Sequence, residues 1–214
     1  MCLVVAMLAA NAFHRRRRQL AGFTLVEVLV TFIILSIGLL GIVRLQTLSK
    51  VSQHQAVQRH RAVAVADSLL ERIRINPAGL STFAAGGSPL GGASIATEPN
   101  PDCSAAACDP TELAAHDLWS FEQALDGASV TVVEAGAATP IAGLINPRGC
   151  VSFTAATGKL RTGMLSVLVQ WDGLQETIDA VQAGEAVCGG ATAGADKFRR
   201  QVVASSFVID EAEL

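Results

Sequence analysis

One carboxylate, Glu27, lies at the start of a long apolar run, behind the small pair Ala21-Gly22 and the four arginines Arg15, Arg16, Arg17 and Arg18. From Phe23 to Val43 there are 21 residues and a single formal charge. About 20 apolar residues span a bilayer as a helix. An ionised carboxylate in such a segment costs on the order of a few kcal/mol at the centre and less near an end. Glu27 therefore needs a reason to be there.

The order of parts differs from an ordinary secretory signal, where charge, a short apolar stretch and a small-residue cleavage site follow one another. Here the small pair comes before the apolar run, so cleavage after Gly22 leaves that run on the mature protein. Residues 1–13 are almost wholly apolar and too few to cross a membrane. Translation is expected to begin nearer His14, and residues 1–22 are expected to be absent from the mature chain.

Cysteine offers a second chemistry. Cys2 falls in the leader, which leaves Cys103, Cys108, Cys150 and Cys188. Four cysteines allow three connectivities. Proximity in sequence favours Cys103–Cys108 and Cys150–Cys188. Disulfides imply an oxidising compartment such as the periplasm. Zinc is the competing use, but no C-x-x-C pair and no nearby histidine ligand supports a structural site.

Enzymatic chemistry is not expected. The chain has no G-x-S-x-G, P-loop, H-E-x-x-H or dinucleotide fingerprint. His54 and His60 are six residues apart on a helical stretch and face different directions. His116-Asp117 reads as a surface or capping pair. No cofactor and no metal is expected.

The elements that position these groups begin with a helix from Phe23 to Ile75, free of proline and stopped by Asn76-Pro77. Residues 23–43 form its apolar half. In 44–76, Leu45, Leu48, Val51, Ala62, Val65, Leu69 and Ile73 recur at helical steps among polar positions, so this half is amphipathic. Gly38 and Gly41 lie inside the apolar half, where they either allow close packing or are ordinary membrane-helix glycines. Residues 77–127 read as an Ala/Gly/Ser/Pro-rich connecting loop followed by a short helix, Thr111–Leu125, closed by Gly127. Trp119 on that helix reads as a core anchor. Residues 128–214 hold four strand candidates: Ala128–Val133, Cys150–Ala155, Met164–Trp171 and Gln201–Ile209. In the third, Leu165, Val167, Val169 and Trp171 share one face. A long helix followed by antiparallel strands predicts an α+β domain with a four-stranded sheet packed on the helix.

Of sixteen Lys and Arg, four lie in the leader, so the mature chain carries twelve against nineteen Asp and Glu, a net of −7. No nucleic-acid partner is expected. Arg44, Lys50, Arg59 and Arg61, and the pair Arg199-Arg200, read as solvated faces. The tight arginine cluster before the first helix favours an N-terminus on the inner side.

The run Gly22-Phe23-Thr24-Leu25-Val26-Glu27, with its apolar continuation, resembles the class III signal of type IV pilins and pseudopilins. The continuation through Ser36-Ile37-Gly38-Leu39-Leu40-Gly41 and Leu45-Gln46, with Asp117-Leu118-Trp119, resembles the PilV-type minor pilins. The resemblance implies the type IV pilin fold. It implies cleavage by a prepilin peptidase between Gly22 and Phe23, N-methylation of Phe23, and pairing of Glu27 with the Phe23 amine of a neighbouring subunit. It implies a place in the inner membrane with the C-terminal domain in the periplasm. The implied partners are the lipid bilayer, an inner-membrane assembly platform, other minor pilins and the major pilin. A minor pseudopilin of type II secretion, a competence pilin and a stalked adhesin are the alternatives.

Overall fold

The computed structural model describes residues 22–85, 89–134, 136–185, 187–189 and 192–214. The expectations about Cys2, His14 and Arg15–Arg18 fall outside them. The chain divides into two compact units, one ending at Thr47 and one spanning Leu48–Leu214.

Helix α1, Leu25–Ile75, enters both units. It stops where the sequence requires: the amide of Asn76 accepts a hydrogen bond from the Gly79 N–H at 3.2 Å and donates to the Pro110 carbonyl at 2.7 Å. A 3-10 turn, Pro77–Gly79, follows. Next comes a short helix, α2, Leu80–Ala85, where an irregular loop was expected. Leu80 and Phe83, three residues apart and so on one face, are both buried there. Their burial outweighs the weak helical tendency of the surrounding residues.

Helix α3, Pro110–Asp126, is fastened at both ends. The Asp109 carboxylate accepts from the N–H groups of Thr111 and Glu112 at 2.8 and 2.9 Å, and the Glu112 side chain accepts from the Asp109 N–H at 2.9 Å. This reciprocal cap satisfies donors that the helix itself cannot. Gly127 closes the helix at φ +69, and a Cβ at that position would lie 1.9 Å from the Gly143 nitrogen. Only glycine fits there.

The sheet differs from the expected four-stranded one. Among the described residues, strands β1, Thr131–Glu134, and β2, Ala137–Pro140, pair only with each other. A separate antiparallel sheet has the order β3-β4-β5, with β3 Arg148–Ala155, β4 Gly163–Asp172 and β5 Arg199–Val208. The turn residue Gly136 lies at φ +86, which lets the 131–140 segment fold back on itself. Val132 and Val133 stay exposed, so little apolar burial draws the hairpin onto the larger sheet. Pro140, at its end, lacks the donor a central strand needs.

β4 is the central strand, and it alternates as expected. Leu165, Val167, Val169 and Trp171 are buried. Within the second unit they share one core with Ala62, Ala66, Leu69 and Ile73 of α1 and Leu118, Phe121 and Leu125 of α3. The amphipathic half of α1 thus supplies the apolar stripe that the strands cover. Close approach of α3 to β3 depends on Gly149, where a Cβ would stand 2.4 Å from the Phe121 ring.

Candidate functional site

Gly22, Phe23 and Thr24 precede α1 and are exposed. Thr24 starts the helix: its Oγ1 accepts from the Glu27 N–H at 3.3 Å. A hydroxyl in this place satisfies one of the unpaired donors at a helix N-terminus. Sequence reasoning missed this role, although Thr followed three residues later by Glu is the pattern that signals it. Glu27 lies in the first turn, where the helix dipole favours negative charge.

The following turns are built for lipid. An 18-residue stretch of α1 has a mean hydropathy of 2.6 with none of it buried within the chain, and it is long and apolar enough to cross a membrane. The two hydroxyls in this stretch bond internally. Thr31 Oγ1 donates to the Val28 carbonyl at 2.8 Å, and Ser36 Oγ donates to the Phe32 carbonyl at 2.7 Å. A hydroxyl satisfied in this way can enter a medium without water. The Glu27 carboxylate has no hydrogen-bond or ion-pair partner among the described residues. It is the one polar side chain of the apolar half left to be satisfied from outside. At Gly38 and Gly41 an added Cβ would meet nothing within 4 Å among the described residues, so no contact seen there requires glycine at either.

The head carries two disulfides, Cys103–Cys108 and Cys150–Cys188. These are the pairs that proximity favours. The second joins β3 to the long connection between β4 and β5.

His116 and Asp117 do not act together. Asp117 is buried and paired with Arg72 of α1 at 2.6 Å, whereas His116 turns toward Glu98 and Asp102. Trp119 is half-buried beside His116 rather than a core anchor; Leu118 and Phe121 fill the core on either side of it, and Trp171 is the buried tryptophan. Arg199-Arg200 is no solvated strip. Arg199 is buried against Asp179 at 3.0 Å, and Arg200 donates to the backbone carbonyls of Gln175, Lys197, Phe198 and Arg199. Arg61 donates to the Ala142 carbonyl.

An apolar helix capped just after a Gly-Phe junction, running into an antiparallel α+β head, is the type IV pilin fold. Residues 44–119 match the family described as Type IV pilin Tt1218, and residues 17–43 match the prokaryotic N-terminal methylation motif. The match to the methylation motif thus runs directly into the match to the type IV pilin family. No curated protein and no solved structure matches it. The motif implies processing by a prepilin peptidase and assembly with other pilins, and with the apolar helix it marks a membrane-anchored protein.

Proposed function

We propose that this chain is a minor pilin of a type IV pilus, of the PilV type. It waits in the inner membrane, anchored by the apolar half of α1, and enters the pilus through that helix to prime or modify assembly. Its role is structural, not catalytic. The observation that carries this reading is Glu27: the hydroxyls nearby are satisfied within the helix, and this carboxylate is left without a partner among the described residues.

Prepilin peptidase hydrolyses the Gly22–Phe23 bond with water and moves a methyl group from a sulfonium methyl donor, released as its thioether, to the new amine, which remains a cation. The amine of a neighbouring pilin then approaches Glu27. Each charge removes the desolvation cost of the other, so the pair forms in lipid only when subunits stand in the correct axial register. The assembly platform, other minor pilins and the major pilin are the partners this role requires. The two disulfides support a periplasmic head.

The test uses the native host. Mass spectrometry of the mature protein is expected to find N-methylated phenylalanine as residue one. Gly22→Val is expected to block processing, seen as a larger product on a gel. Glu27→Ala is expected to be cleaved normally but to yield fewer pili per cell. An unchanged pilus count with Glu27→Ala, or a first residue other than phenylalanine, would overturn the proposal. Loss of protein secretion with pili intact would favour the pseudopilin alternative.

A further inference from the structure

We propose that Glu98, Asp102 and His116 form a binding site for one divalent transition-metal ion of the zinc class. The three side chains come from two segments. Glu98 and Asp102 lie on the loop before α3, and His116 lies in the second turn of α3. One donor atom of each falls within 4.8 Å of the others.

The two distances from the imidazole suit ligands that share one ion. His116 Nε2 lies 3.3 Å from a Glu98 oxygen and 3.6 Å from an Asp102 oxygen. A charge-assisted hydrogen bond would bring these atoms to about 2.7–2.9 Å. Zinc–ligand bonds of about 2.0 Å in a tetrahedron set the ligands about 3.3 Å apart. Nε2 is wholly buried and makes no hydrogen bond among the described residues, while both carboxylates stand within 4 Å of it. A buried ring nitrogen in that state lacks a well-formed hydrogen bond, which coordination to a metal would replace. Two carboxylates that converge on one site also repel each other, and a divalent cation neutralises both.

The surrounding residues hold the ligands in place. The Asp102 carboxylate accepts from the Ser104 N–H at 2.8 Å and its hydroxyl at 2.6 Å, and the Asp102 carbonyl accepts from the N–H groups of Ala105 and Ala106. The Cys103–Cys108 disulfide closes the same loop. The His116 ring lies against Trp119, with centroids 5.6 Å apart. Such outer contacts fix ligand orientation. Imidazole as a ligand selects zinc-class ions over calcium or magnesium, which prefer oxygen alone. Glu98 and Asp102 are 41% and 46% exposed, so an ion would enter from solvent and keep an open position for water. The ligands are separated in sequence by three and then thirteen residues, which matches no motif. The proposal departs from the expectation that the chain binds no metal.

The test is calorimetric titration with zinc chloride of the full chain in detergent, carrying Cys2→Ser and no polyhistidine tag, after treatment with chelator. One ion per chain is expected. Glu98→Gln and His116→Gln are each expected to weaken binding at least about tenfold, as loss of a direct ligand costs no less than loss of an outer partner. The exposed position of Glu98 makes its variant safe for folding, which circular dichroism checks. His54→Ala with His60→Ala is expected to leave binding unchanged. Absence of saturable zinc binding, equal affinity for calcium, or equal affinity in Glu98→Gln and its parent would overturn the proposal. An ion lost with the His54/His60 pair would do the same.

Discussion

Glu122 holds Ser94 by both of that residue's donors: its Oε1 accepts from the Ser94 N–H at 2.5 Å and from the Ser94 hydroxyl at 2.6 Å. The same carboxylate accepts from the N–H groups of Gly91 at 2.8 Å and Ile95 at 2.6 Å. A fully buried acid on α3 thus organises the loop that precedes it by 27 to 31 residues. Asp126, one turn on, does the same for the N–H groups of Gly92 and Ala93.

This arrangement makes the head acid-sensitive. Burial pushes the Glu122 carboxyl upward, but the Ser94 hydroxyl and the three N–H groups outweigh it, so the acid sits below its ordinary range. A depressed folded-state value stabilises above the unfolded-state value and is lost as pH falls through the folded one. Thermal melts are expected to show stability declining below about pH 4. Asp179 and Glu213, also held below their ordinary range, add to the decline. Glu122→Gln is expected to melt lower at neutral pH, by about 1–3 kcal/mol of stability, and to show a shallower acid decline than its parent. An equally steep decline in that variant would refute the assignment to Glu122.

The two disulfides should not contribute equally. Cys150 and Cys188 close a loop with a sequence separation of 38, against 5 for Cys103 and Cys108. Loop-closure entropy makes the longer bridge worth about 4 kcal/mol and the shorter about 2 kcal/mol. Denaturant titration of Cys150→Ser/Cys188→Ser is therefore expected to show the larger drop in midpoint. The reverse order would show that the Cys103–Cys108 bridge constrains more than its own loop.

The two faces of the sheet give a contrast within paired strands. Leu165 on β4 is fully buried, whereas Val203 on β5 is half-exposed. Leu165→Ala is expected to cost about 2–5 kcal/mol through lost burial and the cavity left behind. Val203→Ala is expected to cost well under half of that, by the same denaturant titration. Comparable losses would mean that the outer face is covered in solution.

Several elements were legible in the residues because their causes are local. Asn76-Pro77 ends α1, since proline cannot continue it. The residues flanking 111–125 carry their own caps, so α3 appears within a residue of its expected bounds. Strict alternation in 165–171 identified the buried face of β4. Trp119 was misplaced because helical periodicity does not reveal which of two adjacent apolar residues, Leu118 or Trp119, turns toward the core.

By itself, the sequence determined the apolar span, the acid within it, the glycine before it and the long helix that precedes the strands, because each is a property of neighbours along the chain. Tertiary structure decided the rest. It split the expected sheet into a three-stranded sheet and a hairpin. It buried Arg199 against Asp179, and it brought Glu98, Asp102 and His116 together. Such pairings depend on which surfaces meet once the core has formed, and no fixed spacing records that. The partner of Glu27 lies a step further out, since the cation it needs is not found among the described residues of its own chain.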